Sequence, residues 1–183
     1  MPISNKNISI KSVKHSHFDI AIIGAGCGGL TLAKQISVFT TGSIAIIDKN
    51  TQRPNHFWGF WDDGNETLEL ARSISRKSWQ RWSICSHETK VVHKGCNSTY
   101  RIVSSERFES LILGDVLKNR KIKRFTSNVD KVDKNLLNTS LYLSDGQKIT
   151  AKKTFDSRPL NYPNGILLQH FLGLTIQSDT DVF

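Results

Sequence analysis

The sequence predicts an α/β fold organised around a βαβ unit, and three observations over residues 18–48 predict it. Phe18-Asp-Ile-Ala-Ile-Ile23 is a short apolar run rich in β-branched residues, which suits a buried parallel strand. Gly24-Ala-Gly26-Cys-Gly-Gly29 follows at once and fits the G-x-G-x-x-G pattern of a dinucleotide-binding turn. Leu30, Ala33, Ile36 and Phe39 then recur at helical spacing before Gly42, and a second apolar run, Ile44–Ile47, ends in Asp48, 19 residues beyond Gly29. In that order these are the parts of a Rossmann-like nucleotide-binding unit.

Each residue type in the turn has a mechanical reason. Gly24 permits the tight exit from the strand, Gly26 lets backbone approach a pyrophosphate, and Gly29 lets the helix pack close to the sheet. The helix N-terminus offers unpaired N–H groups and a positive dipole end to phosphates. Asp48 is placed to accept hydrogen bonds from an adenosine ribose. The competing reading is a glycine-rich strand–helix turn that holds no ligand.

Composition narrows the class. A chain of 183 residues suits one domain with a real core, and its hydrophobic fraction of 38% is low but globular. No apolar run reaches about 18 residues, so no membrane-spanning helix is expected. Ile20–Ala33, preceded by Lys6, Lys11 and Lys14, has the outline of a signal peptide. Asp19, the glycine pattern and the lack of a small-residue cleavage site argue for a cytoplasmic chain instead. Cys27, Cys85 and Cys96 form no C-x-x-C pair and the six histidines are scattered, so neither a disulfide framework nor a metal site is expected. The formal charge of +9 is concentrated in Lys118–Lys123 and Lys131–Lys153. It leaves attraction to anionic lipid or nucleic acid physically open, with a solvated lysine-rich surface as the simpler account.

Along the chain, residues 1–17 read as a loose polar leader. After the βαβ unit, Thr51–Asp63 reads as a loop carrying four aromatics within Phe57–Trp61. Loops seldom expose so much aromatic surface without covering something, either local core or an apolar ligand. Leu68–Ile84, with Trp79 and Trp82, is ambiguous between helix and strand, whereas Lys90–Lys94 and Tyr100–Val103 read as strands. Ser104 is placed to cap a helix that carries Glu106 in its first turn and Phe108, Leu111, Ile112, Val116 and Leu117 on its apolar face. Ile122–Phe125 is a third parallel strand.

Val129–Leu136, Ser140–Leu143 and Gln147–Ala151 read as a β-meander inserted over residues 128–151, with a hairpin at Asp145-Gly146. Lys153–Asp156 then returns to the main sheet, so Asp156-Ser157-Arg158-Pro159 ends at the edge that holds the glycine turn. Open α/β sheets bind ligands at that edge. Residues 18–160 thus read as the N-terminal part of a nucleotide-binding domain, and 161–183 as the start of a substrate domain.

A βαβ unit, a helix bearing arginine, a meander and a return strand ending in aspartate resemble the aromatic-hydroxylase-like class of FAD enzymes. That resemblance implies a flavin-nucleotide contact for Arg107 and a place beside the cofactor for Asp156. Four pieces resemble, more closely, the lycopene β-cyclases of the bacterial and plant flavoprotein type. They are Phe18–Gly29, His56–Asp62, Tyr100–Phe108, and Phe155–Pro159 followed by Leu168-Gln-His-Phe-Leu-Gly173. The similarity runs from about Phe18 to Phe183 and corresponds to the first half of a family member, which implies a truncated chain. The acidic motif assigned the proton donor is then expected beyond Phe183, and no catalytic residue is nominated within this sequence.

The family reaction closes both ends of lycopene into β-ionone rings with no net change in oxidation state. It needs a carboxylic acid kept protonated by an apolar site, together with stabilisation of developing positive charge. Aromatic faces can supply the latter, as can the reduced flavin of bound FAD, with NAD(P)H as its reductant. On this reading Trp58, Phe60 and Trp61 line or brace the polyene tunnel, while Asp62, Asp63 and Glu66 read as solvated loop carboxylates. The resemblance also implies lycopene as substrate, peripheral contact with a membrane surface and no nucleic acid partner. A monooxygenase or isoprenoid reductase of the same fold, and a non-catalytic truncated remnant, are the rival readings.

Overall fold

The computed structural model describes residues 14–50, 54–95 and 97–159. The predicted substrate-domain start at 161–183, Cys96 and most of the leader lie outside them. The first strand, β1 (His15–Ile23), feeds the glycine turn and then α1 (Cys27–Phe39) and β2 (Ile44–Asp48). β1 and β2 run parallel, with Ile22 opposite Ile46. Ala21, Ile22, Ile23 and every residue of β2 are buried, which is why both strands read as unbroken apolar runs.

The chain then crosses into a second sheet, made by β3 (Phe57–Asp62), β4 (Lys77–Trp79) and β7 (Thr99–Ser104) in the order β3-β7-β4. Between these lie a 3-10 turn at Glu66–Leu68, the short α2 (Glu69–Ser73), and a hairpin of β5 (Arg81–Cys85) with β6 (Lys90–Lys94). The stretch from Leu68 to Ile84 is therefore both helix and strand in turn. The aromatic stretch predicted as a loop is instead strand β3. Its register against β7 sets Trp58 opposite Val103 and Asp62 opposite Thr99.

From β7 the chain enters α3 (Ser105–Val116), capped as predicted by Ser104, whose hydroxyl accepts from the Arg107 N–H at 3.4 Å. Phe108, Ile112 and Val116 are buried, while Leu111 and Leu117 remain largely exposed. α1 and α3 share one core with Ile22, Ile44 and Ile46 beneath them. Each fully buried Ile or Leu there contributes about 1.5–3 kcal/mol over leaving it in water. The apolar stripe of α1 ends one turn early, because Phe39 is 85% exposed at its last residue.

β8 (Ile122–Thr126) returns parallel to β2, as its sequence predicts. β9 (Val129–Lys134), β10 (Thr139–Leu143) and β11 (Lys148–Asp156) follow, completing a six-stranded sheet ordered β8-β2-β1-β11-β10-β9. The hairpin glycine, Gly146, has φ +84° and closes on the Leu143 carbonyl. Two expectations need correction. The last meander strand and the return strand are one continuous β11, antiparallel to β10 on one side and parallel to β1 on the other. The meander is thus a lateral extension of the main sheet. The leader also ends earlier than expected, because β11 recruits His15–His17 into β1 by pairing them with Lys148–Thr150.

Candidate functional site

The C-terminal ends of β1, β2 and β11 open onto a cavity of about 650 Å3. Gly24 leaves β1 at φ +95°, a backbone region that suits glycine, and its N–H donates to the Ile47 carbonyl at 2.7 Å. Gly26 caps α1, and the first helical bond runs from Leu30 N–H to the Gly26 carbonyl. The N–H groups before Leu30 therefore have no helical partner. The first turn holds no acidic side chain, so the positive end of α1 stands open beside the cavity wall formed by Gly26 and Cys27. A Cβ on Gly29 would strike the Gly24 carbonyl oxygen, so the helix seats on the turn as closely as that glycine allows.

Asp48 is buried at the end of β2 and lines the same cavity. One of its carboxylate oxygens accepts from Ala25 N–H at 2.6 Å and the other from Asn50 N–H at 2.8 Å. The aspartate thus braces the glycine turn from the β2 side as well as facing the cavity. This bracing was not evident from the spacing alone.

The opposite side of the turn is held by the strand-end motif of β11. Asp156 itself turns to Arg158, with Nη2 at 2.7 Å and Nε at 2.9 Å from its carboxylate. The Arg158 guanidinium holds the Asp156 carboxyl below the usual carboxylate range. Ser157, Arg158 and Pro159 line the cavity. Arg107 lies apart: its side chain is exposed on α3 and is not among the cavity-lining residues.

The aromatic residues of β3 divide by strand alternation. Trp58 lines the cavity and meets Phe108 edge-to-face, with ring centres 5.3 Å apart at 85°. Phe60 packs against the same core. Trp61 points to the opposite face, 48% exposed, against Trp82 at 4.6 Å and Tyr100 at 4.8 Å. Asp62 shares the inward face, which overturns its reading as a solvated loop carboxylate. It is buried, accepts from Arg72 through Nε and Nη2, and accepts from Arg101 Nε at 2.6 Å. Arg72 first, with Gly64 N–H and Arg101, holds this carboxyl well below the usual range. A carboxylate so clamped stays ionised and is no proton donor.

Asn55 was also missed. Its side-chain oxygen accepts from the Ser104 hydroxyl at 2.9 Å and from Glu106 N–H at 3.3 Å, tying the approach to β3 to the N-terminus of α3. Nothing local in the sequence connects residues 49 positions apart. Among the described residues no group of three metal-ligating side chains could hold an ion.

Residues 19–183 match a family model described as lycopene cyclase protein. The chain belongs to the lycopene cyclase family. It is 29% identical over 144 residues to neoxanthin synthase, chloroplastic, of Solanum lycopersicum, covering 78% of this chain and 28% of that protein. Lycopene beta cyclase, chloroplastic, of Arabidopsis thaliana is 29% identical over 141 residues, covering 76% of this chain and 27% of that one. Relative to these members of the lycopene cyclase family, the chain spans about 28% of their length. In fold it is similar to a variant of the halogenase PltM in complex with FAD. The TM-score is 0.57 at 13% identity, over 77% of this chain and 34% of that one. The architecture is the Rossmann-like flavoprotein fold, with a mostly parallel sheet extended by a meander. No helix among the described residues is long and apolar enough to cross a membrane.

Proposed function

We propose that this chain is the dinucleotide-binding portion of a lycopene β-cyclase, and that it holds FAD against the glycine turn. The observation that carries the reading is the open N-terminus of α1, whose first turn bears no acidic side chain, set beside a cavity at the strand ends. Gly24, Gly26 and Gly29 shape the cradle for the diphosphate, since a Cβ on Gly24 would crowd Ser157 Oγ and one on Gly29 would strike the Gly24 carbonyl oxygen, pushing the helix off the turn. Asp48 faces the adenosine ribose, and Asp156 acts through Arg158 at the cavity wall. Arg107 stays a cofactor candidate on the family resemblance alone.

When bound, reduced FAD supplies negative charge that favours a positively charged polyene, with NAD(P)H as its reductant. The chain itself contributes orientation and shape: the turn fixes the diphosphate, and Trp58 offers an apolar and polarisable face on the β3 side of the cavity. Phe60 braces that side from the core, while Trp61 belongs to a separate aromatic cluster on the outer face. The substrate is lycopene drawn from a bilayer, and the charge of +9 suits peripheral attachment to an anionic membrane surface.

Titration of the protein into FAD, read by flavin fluorescence, tests the first step. Binding that Gly26→Val abolishes supports the reading, and a flavin-replete Gly26→Val protein refutes it. For the reaction, a protein carrying this chain at family length should convert lycopene to a product of unchanged mass. A product heavier by oxygen would instead identify a monooxygenase.

A further inference from the structure

We infer that Ser157 is the positioning residue of the glycine turn, holding the diphosphate cradle in register from the β11 side. This rests on the reading of that turn as a diphosphate site. An anion-binding turn works only if its N–H groups are fixed before the ligand arrives, since ordering them afterwards subtracts from affinity. From the β2 side the turn is fixed twice, by Gly24 N–H on the Ile47 carbonyl at 2.7 Å and by Ala25 N–H on Asp48 at 2.6 Å.

From the β11 side, among the described residues, Ser157 supplies the hydrogen bonds to the turn. Its N–H donates to the Ile23 carbonyl at 2.9 Å, and its Oγ lies 3.0 Å from the Ile23 oxygen and 3.1 Å from the Gly24 oxygen. A hydroxyl has one proton, so it is shared between the two carbonyls. The Gly24 oxygen is the atom against which Gly29 seats the first turn of α1. By holding that oxygen, the hydroxyl sets how close the helix start comes to the strand end.

The same hydroxyl crowds two of the glycines, which the positive φ of Gly24 and the Gly24 carbonyl against Gly29 already require. A Cβ on Gly24 would lie 2.7 Å from Ser157 Oγ, and one on Gly29 would lie 2.8 Å from it. The G-x-G-x-x-G pattern is thus half of a three-residue lock whose other half arrives more than 120 residues later. The Asp156 carboxylate and the Arg158 guanidinium pair with each other, and Arg158 reaches the Val129 carbonyl, so within this motif the role falls to Ser157.

The test compares wild type, Ser157→Ala and Ser157→Thr by fluorescence titration with FAD, alongside circular dichroism and melting without ligand. Ser157→Ala should weaken FAD binding by on the order of tenfold with unchanged secondary structure, the size of one lost hydrogen bond. Ser157→Thr keeps the hydroxyl at an exposed position and should restore affinity to about wild-type strength. If Ser157→Ala does not fold, Ser157→Cys, close in size and a poor donor, carries the same expected loss. Wild-type affinity in the Ala or Cys variant, or equal loss in Ala and Thr, overturns the inference alone. Wild type that binds no FAD overturns the diphosphate reading, and the inference with it.

Discussion

Arg101 Nε donates a 2.6 Å hydrogen bond to Asp62 Oδ2 from the strand beside it, so a buried carboxylate ties β3 to β7. Arg72, on α2, grips the same carboxylate through two nitrogens. Such a cluster is stable only while complete, because removing its one negative charge leaves two guanidiniums facing each other. Asp62→Asn should therefore lower the thermal midpoint clearly more than Asp63→Asn, whose wild-type carboxylate is exposed on the adjoining loop. Differential scanning calorimetry on both variants checks this, and equal midpoints would show the cluster to be inert.

The same cluster gives stability a defined pH dependence. Asp62 has a folded pKa below its unfolded value, which is about 3.9. Such a group contributes fully above the unfolded value, and its contribution is lost as pH falls through the folded one. The midpoint should hold steady above about pH 4 and fall below it, with a shallower fall in Asp62→Asn. Asp19 and Asp156 are also lowered, chiefly by Lys152 and Arg158, so a residual acid limb should persist. Melts taken in acid buffers distinguish the two slopes.

Adjacent glycines in α1 should respond in opposite directions. A Cβ on Gly29 meets the Gly24 carbonyl and Ser157 Oγ, and a backbone carbonyl cannot swing aside. Gly29→Ala should cost about 1–3 kcal/mol, as overpacking does, and should weaken FAD binding. A Cβ on Gly28 meets nothing within 4 Å, so Gly28→Ala should be neutral or stabilise the helix by up to about 1 kcal/mol. Urea unfolding of the pair measures the difference.

What the sequence makes legible follows from how far each cause reaches along the chain. β1, α1 and β2 are readable because burial on both faces and a glycine turn leave local patterns. The helix cap at Ser104 is equally local. β3 escapes recognition because aromatic residues occupy both of its faces, Trp58 and Phe60 inward and Trp61 outward, so no alternation of polarity marks it as a strand. The continuity of β11 is hidden by Lys152 and Lys153, exposed residues on an inner strand; Lys152 answers Asp19 on β1 at 2.7 Å. Asp62 with Arg101, Asn55 with Ser104, and Ser157 with Gly24 are pairings that only tertiary structure reveals.

The cap of α3 is tested by two truncations. Ser104→Ala removes the acceptor for Arg107 N–H and should cost about 1 kcal/mol. Asn55→Ala should cost more, since its oxygen serves the hydroxyls of Ser104 and Ser105 and the N–H of Glu106. Because Phe108 supports Trp58, both variants should also loosen the cavity wall, seen as a red shift of tryptophan emission.

Cys27 reports directly on occupancy of the turn. It opens α1 and lines the cavity, where surrounding protein pushes its thiol above the usual value against a hydrogen bond involving Thr31. The thiolate is the reactive form, so alkylation should be slow near neutral pH and still be rising beyond about pH 8.5. On the proposed seating, a dinucleotide against the first turn of α1 would cover this exposed sulfur. FAD should therefore slow alkylation of Cys27 at least severalfold, with half-protection at the dissociation constant read by fluorescence. Cys85, exposed on β5, is the internal control and should react alike with and without FAD. Peptide mass spectrometry separates the two sites, and FAD that binds yet leaves Cys27 unprotected would move the dinucleotide out of this cavity.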